Sequence, residues 1–166
     1  MLRIAACTLL ATLCAQPAFA EQTFECAGAT VTIGVDPTLP LLTTESAEVL
    51  LRVQRGPRET LLRYYSIDFI GGACDTRATG GPRIVYQAVC SGSACHDLSN
   101  WGVINPQTLQ VLLIPADDSL EPATRLLGHP PALKGEKMNV SQEAQDRKST
   151  RLNSSHSHAS RMPSSA

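Results

Sequence analysis

Residues 30–35 read Thr30-Val31-Thr32-Ile33-Gly34-Val35 (TVTIGV), with Val31, Ile33 and Val35 on one side and Thr30, Thr32 and Gly34 on the other. Side chains of an extended chain alternate between two faces, so this period of two, rich in β-branched residues, predicts a strand with one buried face. Asp36-Pro37 ends it, because proline has no N–H to give a ladder. The same pattern recurs downstream. Val49, Leu51 and Val53 alternate with Leu50, Arg52 and Gln54, and Arg55-Gly56-Pro57-Arg58 reads as a turn. Thr60 to Ile70 reads as the longest strand, with Leu61, Tyr65, Ile67 and Phe69 on one side and Gly71-Gly72 closing it. After the loop TRATGGP (76–82), Ile84, Tyr86, Ala88 and Cys90 form the next alternating set. Trp101 to Ile104 and Leu109 to Ile114 flank Asn105-Pro106-Gln107-Thr108, a turn with proline at its favoured second position.

One segment reads as helical. Ser119 can cap it, Glu121 and Pro122 suit a first turn, and Gly128 suits the stop before Pro130-Pro131. Six or seven short strands and one short peripheral helix predict a mostly β fold, a small antiparallel β-sandwich or barrel. No internal repeat supports a propeller or solenoid. The phrase INPQTLQVLLIP (104–115) resembles a propeller hairpin, and a common Asn-Pro turn explains it equally well.

The two ends of the chain carry different signals. Arg3, the apolar run IAACTLLATLCA and Ala18-Phe19-Ala20 make residues 1–20 an expected signal peptide, cleaved after Ala20. The run is too short to span a bilayer. Neither Cys14, preceded by Leu13, nor Cys7, with no apolar segment ahead of it, suits a lipoprotein site. Residues 21–132 are then a single β-rich domain, and 133–145 a loose polar segment. Residues 146–166 (DRKSTRLNSSHSHASRMPSSA) have the composition of a disordered terminus. They also resemble a translated sequencing adapter. Asp146 to His156 can be encoded by the 3′ adapter of short-read libraries, and Ser160 to Ala166 by the segment beyond its sample index. The gap between them is eight nucleotides, a usual index length. The expectation is an artefactual tail, excluded from fold reasoning, with the true C-terminus missing beyond Gln145.

Discounting both ends changes the charge. Residues 21–145 hold nine basic against fourteen acidic residues, a net of −5, where the whole chain has −1. No Lys/Arg cluster or stripe remains, so the electrostatic footprint of a nucleic-acid binder is absent. An acidic domain also disfavours anionic membranes and is compatible with a basic protein partner. Cys26, Cys74, Cys90 and Cys95 remain, an even number in an exported chain, which implies disulfides in one of three connectivities. Four flexible residues separate Cys90 from Cys95. Cys90–Cys95 together with Cys26–Cys74 is the favoured pairing, giving two disulfides.

Chemistry-bearing motifs are few. Cys90-Ser-Gly-Ser-Ala-Cys95-His96 resembles a widened c-type haem attachment site, with His96 as axial ligand. A disulfide-closed hairpin suits the preceding strand better, and no cofactor is expected. His96, Asp97 and Asp75 could hold Zn²⁺, although no His pair has ligand spacing, and no metal is expected either. No Gly-x-Ser-x-Gly elbow points to a nucleophile, and no catalytic residue is assigned. His96, Asp97, Asn100 and Trp101 cluster in a loop that a disulfide would hold rigid, a place suited to recognition. For Trp101 itself, plugging one end of the core is the favoured reading. Finally, Phe24-Glu25-Cys26-Ala27-Gly28 and the strand after it resemble, over about Phe24 to Val35, the start of the periplasmic C-type lysozyme inhibitors, which are small disulfide-tied β-barrels. The Ser-Gly-containing inhibitory loop of that family is not recognisable here.

The function expected from these features is an exported, periplasmic or secreted, non-catalytic protein with a binding, inhibitory or envelope-accessory role, its partner a protein or cell-envelope ligand. The alternative is a small periplasmic enzyme or metal-binding protein built on His96 and nearby carboxylates.

Overall fold

The computed structural model of the chain describes residues 21–36, 47–90, 99–135, 137–146 and 149. Strands β1 (Gln22–Cys26), β2 (Ala29–Val35), β3 (Val49–Arg55) and β4 (Arg58–Tyr64) form an antiparallel sheet in sequence order. The first hairpin turns at Ala27-Gly28, where φ is 48° and 81°, the mirror-image turn that matches strand twist. The second turns at Gly56-Pro57, with φ 57° at the glycine. Strands β5 (Ile67–Asp75), β6 (Arg83–Cys90), β7 (Trp101–Ile104), β8 (Val111–Leu113) and β9 (Met138–Asn139) form a second antiparallel sheet, ordered β8-β7-β6-β5-β9.

The alternation in β2 and β3 does what the sequence implies. Val31, Ile33, Leu51 and Val53 point inward and share a core with Ile70, Ile84, Tyr86 and Ile104 of the second sheet. The other face of the second sheet is also covered. There Val85, Trp101 and Val103 pack with Ala123 and Leu127 of helix α1 (Leu120–Leu127). With layers on both faces, β6 is buried from Ile84 to Val89.

Side chains tie the edges of the two sheets together. The Gln22 amide both accepts from the Gly72 N–H (2.8 Å) and donates to its carbonyl (3.1 Å), in the manner of a ladder rung. Cys26 is bonded to Cys74, as expected from the cysteine pattern. At the opposite edge, Arg58 donates to the Gln107 carbonyl and Thr60 to the Leu109 carbonyl. Among the described residues no backbone ladder joins the sheets, so no closed barrel forms. Cys95 lies outside the described residues, and the Cys90–Cys95 pairing with it.

Three expectations are corrected. The long strand from Thr60 to Ile70 is broken at Tyr65-Ser66, with Ser66 at φ 54°; β4 belongs to one sheet and β5 to the other. The inward residues of β4 are Thr60, Leu62 and Tyr64, opposite buried Val53, Leu51 and Val49, rather than Leu61 and Tyr65. An unbroken apolar-rich run hides such a corner, because the parity change occurs within it. Second, Gly71 and Gly72 do not close the strand but lie within it. A Cβ at Gly72 would sit 3.1 Å from both Phe24 and Ile33, so the missing side chain lets the sheets approach. Third, α1 is not the one helix. Residues 140–146, expected to be loose up to 145, are also helical, and they bury Val140 and Ala144 against the core after β9 has paired with β5. Two apolar positions four apart are too short a pattern to declare a helix; docking on the core supplies what propensity does not.

Helix α1 stops at Gly128 as expected, in the left-handed conformation (φ 80°), its N–H bonded to the Thr124 carbonyl at 2.8 Å. Ser119 does stand at the N-cap, but its side chain makes no cap bond. The hydroxyl donates instead to the Ser99 carbonyl and accepts from the Trp101 N–H, locking the entry of β7 to the start of α1. No helix among the described residues is long and apolar enough to cross a membrane.

Candidate functional site

Of the four residues expected to form a binding loop, two are described. Trp101 is 8% exposed and packs with Val85, Val103 and Leu127. Asn100 is 6% exposed; its carbonyl accepts from Ala88 N–H at 3.1 Å, and its side-chain Oδ1 has no partner among the described atoms. Neither side chain is offered to solvent. His96 and Asp97 lie outside the described residues, as does any joint site they form. Asp75, the third residue weighed for a metal, stands opposite Arg83, at the far end of the β5–β6 pair from Cys90. Among the described residues no three His, Cys, Asp or Glu side chains gather as a metal group.

Beside Asn100, Ser99 does face a surface feature. With Asp118, Leu120, Glu121 and Thr124 it lines an open groove of about 560 Å³ at the start of α1. The Ser119 hydroxyl holds the Ser99 carbonyl at its edge, where β7 begins. Two carboxylates, two hydroxyls and a leucine 42% exposed make it suited to a polar or cationic group resting on an apolar flank. Glu121 is already paired with Arg125 one turn on.

Two further polar clusters were invisible to sequence reading, because their members are far apart in the chain. At the end where β2 finishes and β3 begins, Asp36 and Glu48 are 6% and 3% exposed. The Asp36 N–H donates to the Glu48 carbonyl at 2.8 Å. Arg63 from β4 meets Glu48 at 2.6 Å and Asp36 at 3.6 Å. The hydrogen bond to Glu48, then its charge, holds the Arg63 guanidinium above its ordinary range. Tyr65 also hydrogen-bonds Glu48, and this bond to an anion is the main reason its phenol keeps its proton more tightly than usual.

At the opposite end, Asp75 Oδ1 accepts from the Arg77 N–H at 2.9 Å, and Oδ2 lies 3.1 Å from His129 Nε2. That approach is within ion-pair range without hydrogen-bond alignment, and Nε2 has no other partner among the described atoms. His129 Nδ1 faces the Pro130 carbonyl at 3.0 Å. In a catalytic dyad one imidazole nitrogen faces the acid and the other a nucleophile. Here both nitrogens face acceptors of the fold, so the pair latches the end of α1 to β5. The signal that could have found these clusters is small. A lone Asp after a strand and a His after a helix stop each have surface readings that are individually more common.

No family model, curated protein or solved structure matches the chain.

Proposed function

We propose that the chain is an exported, non-catalytic binding protein with an inhibitory or envelope-accessory role, periplasmic or secreted after cleavage behind Ala20. Its fold is read as a β-sandwich, the two sheets stacked over one core, with a second disulfide between Cys90 and Cys95. The observation that carries the proposal is how the described polar groups are spent. The buried carboxylates Asp36, Glu48 and Asp75 are engaged by Arg63, His129 and the Arg77 backbone, and both nitrogens of His129 face acceptors. Those groups stabilise a scaffold. Among the described residues, a groove lined by Ser99, Asp118, Leu120, Glu121 and Thr124 is open to solvent, and it is taken as the ligand surface. The Cys26–Cys74 bridge supports export, since such bonds persist in oxidising compartments.

The ligand is a protein or an envelope component, and the likeness of Phe24–Val35 to C-type lysozyme inhibitors supplies one concrete candidate. The test is calorimetric titration of the purified protein with a C-type lysozyme, lipopolysaccharide and peptidoglycan fragments, beside an activity panel on the native chain and on His96→Ala. Saturable binding to one of them, weakened by Asp118→Lys, is expected. Turnover abolished by His96→Ala overturns the reading in favour of an enzyme. Recovery of the protein from the cytosol with residues 1–20 attached overturns the localisation. We read residues 146–166 as translated adapter; a peptide from that segment in the native protein overturns this.

A further inference from the structure

Strand β4 ends the first sheet. β3 pairs with one side of it, and among the described residues no strand pairs with the other. Its links to the turn between β7 and β8, through Arg58 and Thr60, are made by side chains and use none of its backbone groups. A row of N–H and C=O groups at a sheet edge is a template for a further strand.

The sequence of that edge is Arg58-Glu59-Thr60-Leu61-Leu62-Arg63-Tyr64. Set antiparallel to itself about Leu61, it brings Glu59 opposite Arg63 twice, Leu61 opposite Leu61, and Thr60 opposite Leu62. Odd-numbered residues face away from the core: Leu62 pairs with buried Leu51, whereas Leu61 pairs with exposed Arg52. Glu59, Leu61 and Arg63 therefore share the outer face, and the two charged side chains are 42% and 50% exposed. Centring the pairing on Thr60 or Leu62 instead sets Glu59 or Arg63 opposite leucine and loses both contacts. The charges select one register.

We propose that β4 is a self-association edge, through which two copies of this chain join by antiparallel β4–β4 pairing about Leu61. The two four-stranded sheets then become one continuous sheet across a twofold axis. Each copy already holds Arg52 to Glu59 at 3.3 Å and Arg63 to Glu48 at 2.6 Å. Pairing extends these into a row of alternating sign: Arg52, Glu59, then Arg63 and Glu48 of the second copy. No like charges stand opposite one another. Edge charges that only discouraged association would have no need of this self-complementary spacing. The inference is independent of which ligand the groove takes.

Sedimentation of the purified chain over a range of concentrations tests it. A reversible dimer is expected. Glu59→Arg, which sets two arginines opposite each other, should weaken it about tenfold or more. Glu59→Arg with Arg63→Glu should recover most of that loss. Because Arg63 also holds Glu48, a second measurement leaves it untouched. Opposed residues in an antiparallel pair lie about 4.5–5.5 Å apart, within disulfide reach. Leu61→Cys should therefore cross-link into a covalent dimer much faster than Leu50→Cys, which lies inside the sheet on β3. A monomer at every concentration, or Leu61→Cys cross-linking no faster than Leu50→Cys, overturns the proposal.

Discussion

Tyr64 on β4 and Tyr86 on β6 hydrogen-bond through their hydroxyls, 2.8 Å apart, with their rings tilted at 55° and centroids separated by 6.1 Å. One residue comes from each sheet, so the contact is a polar rivet through an otherwise apolar interior. Burial is the main cause that pushes both phenols above their ordinary range.

That gives an alkaline limit to stability. A phenol whose pKa is higher in the folded state than in the unfolded one binds its proton more tightly when folded. Its contribution is fully present below the unfolded value of about 10 and is lost as pH rises beyond it. The chain has three tyrosines, and Tyr65 is shifted the same way by Glu48. Tyr65, 61% exposed, should ionise in the folded protein, whereas the phenolate absorbance of Tyr64 and Tyr86 should rise only together with loss of tertiary circular dichroism. Early titration of Tyr64 or Tyr86 in the folded protein would contradict this.

Tyr86→Phe should cost about 1–2 kcal/mol, because it leaves the Tyr64 hydroxyl without that partner inside the protein. The measure is the shift in denaturation midpoint at unchanged slope.

The ring of Tyr86 lies over Gly102, its antiparallel neighbour on β7. A Cβ at Gly102 would fall 2.1 Å from Tyr86 Cζ and 2.3 Å from Cε1. Gly102→Ala should destabilise by about 3 kcal/mol through displacement of a fully buried ring. Combined with Tyr86→Leu, its extra cost should shrink, and the double-mutant cycle measures the coupling. Additive costs would disprove the overlap.

Replacing Cys26 and Cys74 by serine opens a link spanning 48 residues. On the chain-entropy model this costs about 4 kcal/mol. The oxidised and reduced native proteins should differ by a similar amount in chemical denaturation.

His129→Ala removes the side chain facing Asp75, which is only 7% exposed. The Arg77 N–H still serves the carboxylate, and His129 is partly exposed, so the cost should be about 2 kcal/mol, below that of breaking a fully buried pair. Asp75→Asn in the same background should recover part of it. An enzyme dyad would instead lose turnover without losing stability.

Much of the β architecture was legible because it is periodic. Strands β2 and β3, the Gly56-Pro57 and Asn105 turns and the limits of α1 all follow from spacing and turn residues, whereas β1 does not stand out by alternation. Asn105 shows why: its Oδ1 accepts from Gln107 and Thr108 N–H at 2.9 and 3.3 Å, a local interaction that the tetrapeptide makes by itself. The break at Ser66 was illegible because serine carries no marker for a left-handed corner. The residues gathered at Asp36–Glu48–Arg63 and Asp75–His129 were illegible because nothing local joins them.

The sequence by itself determined the mostly β class of the fold and the one-sided burial of the first sheet, since these follow from alternation and turns. Only the tertiary structure decided that one run of strand is shared between two sheets, and that Trp101 is sealed beneath α1. It also decided that residues 140–146 dock as helix and that the buried carboxylates find partners on distant strands. Such contacts depend on which faces meet after collapse, and strand period specifies a face without naming what it will touch.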